Sequence, residues 1–187
     1  MRQQTFKFRT WGGKREGAGR EPDGDKPGVS HLKRPQFPAR NPVHLTMRLL
    51  PGVGYLRGYS RKRAIENALY EAEKRFGVRI VHYSIQGNHL HLIVEAESAE
   101  ALARAMQGLA VRLARALNRL ARRGGKVFAD RYHSHVLATL REVVNAVRYV
   151  LENFRHHVRE RLTSDPCAGS LVPPRTWLLQ RAGVRSG

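Results

Sequence analysis

At 187 residues and 41% hydrophobic content, the chain suits one domain with tails, or a domain plus a small appendage, around a real core. Lys and Arg number 34 against 15 Asp and Glu, a formal net charge of +19 carried along the whole length, which points to a polyanion, nucleic acid first. No apolar run is long enough to span a bilayer, Met1–Arg20 has no signal-peptide apolar region, and the single Cys167 supports neither an internal disulfide nor a thiol zinc site. These exclusions predict a cytoplasmic protein whose metal, if any, is held by nitrogen and oxygen.

Residues 1–40 are rich in Gly, Pro and basic side chains and read as an extended or disordered arm. Lys14, Arg15 and Arg20 sit among glycines, a pattern suited to a DNA minor groove and equally to a solvated tail. From Asn41 the pattern changes. Val43, Leu45, Met47 and Leu49 alternate with His44, Thr46 and Arg48, a half-buried strand. Ser60 predicts the cap of a helix from about Arg61 to Phe76, with Ile65, Leu69, Ala72 and Phe76 inward and Gly77 as its stop. Val78–Ile85 is rich in β-branched residues and reads as a second strand, turning through Gln86-Gly87-Asn88 into a third, His89–Glu95.

In that third strand His89 and His91 share a face with Ile93, while Leu90, Leu92 and Val94 point to the core. Two adjacent imidazoles are part of a metal site, or packing or phosphate-binding groups. A helix follows from Ala99 to about Arg122, after Ser98, with Leu102, Met106, Leu109, Leu113, Leu117 and Leu120 inward and arginines elsewhere. A fourth strand, about Tyr132–Ala138, precedes a last helix, about Leu140 to Leu162. The tail, 163–187, carries an apolar patch at Trp177-Leu178-Leu179. The order β-α-β-β-α-β plus a helix predicts an α+β, ferredoxin-like sheet with the first and third strands central. The histidines then lie mid-sheet, opposite the two crossover helices.

On the last helix the expected buried stripe is Leu140, Val144, Val147, Leu151, Phe154 and Val158. Tyr149 falls on the far side, in line with Asn145, Asn153 and His156. Tyr149 reads as an ordinary exposed tyrosine, a base-stacking ring, or a nucleophile. Asn153, one turn on, favours the last reading, because its amide oxygen can join His89 and His91 around one cation. A divalent cation so held would act on a DNA phosphate as a Lewis acid while Tyr149 Oη attacks in line. The products are a 5′-phosphotyrosine and a free 3′-OH, a linkage that permits strand transfer.

His89-Leu90-His91 before an apolar run resembles the HUH motif, and Tyr149 with Asn153 after the fourth strand resembles the single-tyrosine HUH transposases. The REP-associated tyrosine transposases are the group most similar. Val43–Arg48, Arg131–Val136 and Arg148–Asn153 are similar to that group's first strand, fourth strand and catalytic helix, as is the Gly-Arg arm. The likeness covers roughly residues 40–160. It implies a bacterial, nucleoid-associated enzyme that nicks and joins single-stranded DNA at hairpins, as monomer or homodimer, with Mg²⁺ or Mn²⁺ and no small-molecule cofactor. It assigns Tyr149 as nucleophile, His89, His91 and Asn153 as metal ligands, and Lys14, Arg15, Arg20, Arg48, Arg131 and His133 as DNA contacts. Gly87 stands where that family usually has Pro, and Phe154-Arg155-His156-His157 follows Asn153 in place of Pro-Val-Arg. The domain division expected is an arm (1–40), a nuclease domain (41–162) and a tail (163–187). His133 and His135 form a rival H-x-H pair. A non-catalytic ferredoxin-like binder and an HUH relaxase are the competing functions.

Overall fold

The structure is a computed structural model that describes residues 36–39, 41–152 and 165–171. The basic arm with Lys14, Arg15 and Arg20, the segment after Glu152 with Asn153, and the Trp177 patch lie outside the described residues. In chain order the elements are β1 (Val43–Arg48), α1 (Tyr59–Phe76), β2 (Arg79–Ile85), β3 (His89–Glu95), α2 (Ala99–Leu120), β4 (His133–Val136), α3 (Leu140–Glu152) and β5 (Ala168–Ser170). The strands form one antiparallel sheet in the order β4-β1-β3-β2-β5. β1 and β3 are neighbours at its centre, the ferredoxin-like placement that the element order predicts.

One face of the sheet supplies the main core. Val43, Leu45 and Met47 of β1 and Leu90, Leu92 and Val94 of β3 bury there with the inward residues of α1 and α2. Each fully buried Leu of this layer contributes about 2 kcal/mol by its removal from water. α3 covers the other face with a smaller cluster, in which Val143, Ala146, Val147 and Val150 meet Val81 and Ile93. A register shift between Ile80 and His82 lets neighbouring Val81 and His82 both serve that face.

Several details depart from the expected pattern. Ser60 is not the cap of α1; Gly58 holds that position, its carbonyl accepting the first helical bond from Lys62 N at 2.9 Å, and glycine has no side chain to add a capping bond. Gly77 does stop the helix, in the left-handed region at φ 66° that glycine adopts without strain. Ser98 caps α2, its Oγ accepting from Ala101 N at 3.1 Å. Leu120, expected inward, is 40% exposed at the last residue of α2.

The larger correction concerns α3. Its buried residues are Val143, Ala146, Val147 and Val150, so the packed face is turned from the expected Leu140/Val144/Val147/Leu151 stripe by roughly 80° at about 100° per residue. Apolar residues on both sides of Val147 make either stripe legible from the sequence. The entry of the helix decides between them: Glu142 and Thr139 form a capping box, with Thr139 N and Ala138 N donating to Glu142 Oε2 at 2.9 and 2.8 Å and Glu142 N donating to Thr139 Oγ1 at 3.2 Å. Tyr149 therefore lies about 110° from the centre of the buried face, beside it and not opposite it.

β5 has no signal in the sequence. Its three residues, Ala-Gly-Ser, carry no strand pattern; they pair because β2 offers an open edge. Asp165, just before it, takes a bidentate pair from Arg57, with Nη2–Oδ1 at 2.8 Å and Nη1–Oδ2 at 3.0 Å.

Candidate active site

Pairing register assembles the site. Thr46 on β1 stands opposite His91 on β3 and His133 on β4, and Arg48 stands opposite His89. His44 stands opposite Ile93 and His135, and Ser84 on β2 opposite His91. Cross-strand partners share a face, so all of these side chains belong to the side covered by α3. Alternation puts the histidines there because the intervening Leu90 and Leu92 are claimed by the core.

His91 is the buried centre, 4% exposed. Its Nδ1 lies 3.2 Å from Thr46 Oγ1 and 3.2 Å from His44 Nε2, with the His44 and His91 rings stacked at 5.3 Å. Its Nε2 is buried with no hydrogen-bond partner among the described residues. Burial, with His89 and His44 nearby, lowers the His91 pKa to about 3, so the ring is neutral near pH 7. A neutral imidazole carries one proton. A proton on Nδ1 donates to Thr46 or His44 and leaves the Nε2 lone pair for a cation.

His89 stands edge-on to His91 at 4.8 Å between ring centroids. Its Nδ1 lies 2.8 Å from Asn88 Oδ1, an acceptor, which places the proton on Nδ1 there as well. Both histidines of the pair are thus oriented by a neighbour through the same ring nitrogen. Their chemistry fits a divalent cation taken by Nε2 atoms. Among the described residues no group of three His, Cys, Asp or Glu converges on one point, so a further ligand has to be of another type or lie elsewhere in the chain. An amide oxygen such as that of Asn153 is of such a type, and its position lies outside the described residues.

Tyr149 reaches this group from α3. Its ring is 5.0 Å from that of His91 and 6.0 Å from that of His44, edge-on to both, and the residue is 45% exposed. The structure brings together His89, His91 and Tyr149, with exposed Arg48 and His133 on the same sheet face. It does not bring Arg131 there. Arg131 lines a cleft of about 540 Å³ with Met47, Met106, Phe128 and Tyr132, on the α2 side of the sheet. His133 and His135 occupy the edge strand; His135 Nε2 pairs with Glu142 Oε1 at 3.5 Å.

Thr46 and His44 gain a role that sequence alone does not assign them. Alternation puts them on a face beside the site, but their contact with His91 follows only from the β1–β3 register. His44 is itself held neutral, its pKa lowered to about 4 by burial and by His135 and His133. The Gly87 departure also has a local cause. A Cβ at Gly87 would lie 3.3 Å from the Tyr55 ring, and the Gly87 carbonyl accepts from Leu56 N at 3.0 Å.

A histidine pair on a central strand, facing a tyrosine on the helix after β4, is the arrangement of the HUH tyrosine transposases. The family model described as transposase IS200-like matches residues 43–153, more than half of the sequence, and the chain belongs to that family. Among solved structures, a REP-associated tyrosine transposase bound to a REP hairpin is similar in fold, with TM-score 0.58 and 13% identity over 69% of this chain and 74% of that one. A protein described as a candidate transposase from Deinococcus radiodurans R1 aligns at 14% identity and TM-score 0.44 over 68% of this chain and 96% of that one. No curated protein matches the chain. Among the described residues no helix is long and apolar enough to cross a membrane.

Proposed function

We propose that the chain is a metal-dependent single-stranded DNA nickase and strand transferase of the REP-associated type, acting at hairpin DNA through Tyr149. The observation that carries this reading is the placement of the Tyr149 ring 5.0 Å from His91, at the end of a sheet face lined with neutral imidazoles. His89, His91 and Asn153 would hold Mg²⁺ or Mn²⁺. When bound, the cation supplies Lewis-acid polarisation of a phosphate and neutralises its developing charge.

The chain's own residues do the rest. Tyr149, half exposed at the rim, gives its Oη to the phosphorus of an incoming strand. The Oη–P bond forms, the P–O3′ bond breaks, and the tyrosyl proton ends, in net, on the departing 3′ oxygen. Thr46, His44 and Asn88 fix the ring tautomers of the two histidines. Arg48, Arg131 and His133, with Lys14, Arg15 and Arg20 of the arm, contact the DNA backbone. The division into an arm (1–40), a nuclease domain (41–162) and a tail (163–187) belongs to the same proposal.

The test is a denaturing gel. The protein is incubated with single-stranded DNA carrying a hairpin from its own genomic flank, with and without Mn²⁺. A covalent adduct that needs Mn²⁺ and disappears in Tyr149→Phe is expected. Equal behaviour of wild type and Tyr149→Phe overturns the nucleophile. Binding without any adduct makes the protein a non-catalytic DNA binder.

A further inference from the structure

The loop from β1 to α1 displays one tyrosine on a backbone that is held still. Val53 and Leu56 in that loop are fully buried, while Tyr55 between them is 61% exposed. Hydrogen bonds pin the loop along its length. Leu49 N donates to Asn88 O at 2.9 Å and Leu56 N to Gly87 O at 3.0 Å. Arg61 Nε donates to Val53 O at 3.1 Å, and Arg57 Nη1 to Ile85 O at 3.1 Å besides its bidentate pair with Asp165. An aromatic ring on such a backbone loses little freedom when another flat group lies on it.

The ring is seated on the β2–β3 turn. Its Cε2 and Cδ2 atoms would lie 3.3 and 3.5 Å from a Cβ at Gly87, so the ring occupies the room that a missing side chain leaves. Gly87 does not adopt a positive φ, so backbone geometry is not what calls for glycine there; the seat of Tyr55 is. From Gly87 the exposed Asn88 leads directly to His89, across at most about 7 Å of backbone. Exposed Arg48 stands opposite His89. Other exposed tyrosines are engaged differently: Lys74 Nζ covers the Tyr70 ring at 4.1 Å, and Tyr149 stands edge-on to His44 and His91. Among the described residues no aromatic ring or cation covers Tyr55.

The surroundings suit a nucleic-acid strand. Residues 49–58 and 85–91 contain no Asp or Glu, and Arg48 and Arg61 flank the loop. Asp165 beside it is buried and taken by Arg57. An unpaired base offers a π-face to an exposed tyrosine whatever its identity, and the phosphates on either side of it find cations. We propose that Tyr55 is a stacking platform for one unpaired base of the strand presented to His89 and His91. At about 3.4 Å per stacked nucleotide, the seat lies about two nucleotides from the phosphate at His89. Stacking there sets the register of the strand, because the base held on Tyr55 decides which phosphate reaches the histidine pair. The platform rests on the reading of single-stranded DNA as the substrate, not on the nucleophile.

The test is an affinity scan without Mn²⁺, so that binding alone is read. Full-length protein is titrated by fluorescence anisotropy with the hairpin from its genomic flank carrying an unpaired extension. A second series removes one base at a time from that extension. Tyr55→Ala is expected to lose about 5–100-fold in affinity for the intact DNA, and Tyr55→Phe to stay within about 2-fold. Wild type should show a loss of the same size at one abasic position, and Tyr55→Ala no further loss there. Tyr59→Ala, which removes a more exposed ring at the start of α1, should stay within about 2-fold of wild type. Thermal melting of each variant checks the fold. Unchanged affinity of Tyr55→Ala overturns the platform. So does a Tyr55→Ala loss that persists at every abasic position, and so does an equal loss in Tyr59→Ala. None of these three results touches the nickase reading, which the Tyr149-dependent adduct decides. A one-position effect in a protein that forms no adduct leaves the platform standing and removes the nucleophile instead.

Discussion

The two faces of the sheet are built from the same strands but from different chemistry. Toward α1 and α2 every inward residue of β1 and β3 is hydrocarbon or thioether: Val43, Leu45, Met47, Leu90, Leu92 and Val94. Toward α3 the same strands show His44, Thr46, His89 and His91, with Ser84 and His82 from β2, and Ile93, Val81, Leu137 and the α3 residues supply the apolar cover. One face holds the fold. The other is held in place by the first, and so tolerates buried polar rings that would weaken a core. A site of this kind needs only one helix above it, and that helix brings the tyrosine.

The largest expected effect is chemical. Tyr149→Phe should remove adduct formation by at least about 10³-fold, while the melting temperature stays within about 1–2 °C, because the substitution deletes one hydroxyl of a half-exposed residue and keeps its ring. A large drop in stability would mean that the Tyr149 hydroxyl serves the fold and not the chemistry. Next come the adjacent core residues Leu92 and Ile93, both fully buried but on opposite faces. Leu92→Ala, enclosed by two helices, should cost about 3–4 kcal/mol in denaturant unfolding. Ile93→Ala, under one helix that can settle, should cost about 2 kcal/mol. Equal costs would erase the difference between the faces.

Acid should act on the polar face alone. Burial lowers His44 and His82 to about 4 and His91 to about 3, from an ordinary value of 6.5. The unfolded chain therefore takes up protons first as pH falls. Stability from these groups is complete above about pH 6.5 and declines as pH falls toward 4 and then 3, by roughly 2–3 kcal/mol for each buried ring. Denaturation at pH 7.5, 5.5 and 4.5 measures this decline, and His82→Phe should flatten it. The smallest effect concerns orientation. Thr46→Val removes one partner of His91 Nδ1 and should weaken Mn²⁺ binding by about 10-fold, read by calorimetry. Imidazole nitrogen chemical shifts should show His91 losing its single tautomer. Unchanged shifts and affinity would assign Thr46 to packing only.

Much of the layout is legible in the sequence. Strict alternation in Val43–Arg48 and His89–Glu95 places His44, Thr46, Arg48, His89 and His91 on one side. The β-α-β-β-α-β order puts their strands together at the centre. Those are local properties of the backbone, since a strand turns each residue away from its neighbours whatever surrounds it. The rotation of α3 is not legible, because Leu140, Val143, Val144, Val147, Val150 and Leu151 offer two apolar stripes about 80° apart and only docking on the sheet chooses one.

The sequence by itself determined which residues could share a face, the excess of positive charge along α2, and the family to which the motifs belong. The tertiary structure decided which of those residues touch. It set the β1–β3 register that brings Thr46 and His44 to His91 Nδ1, and the turn of α3 that carries the Tyr149 ring to 5.0 Å from His91. It moved Arg131 to the far side, and it gave Ala168–Ser170 a strand that three small residues do not encode. The reason is physical: side-chain period is a property of a single segment, whereas register, helix rotation and edge pairing are differences in free energy between whole packings.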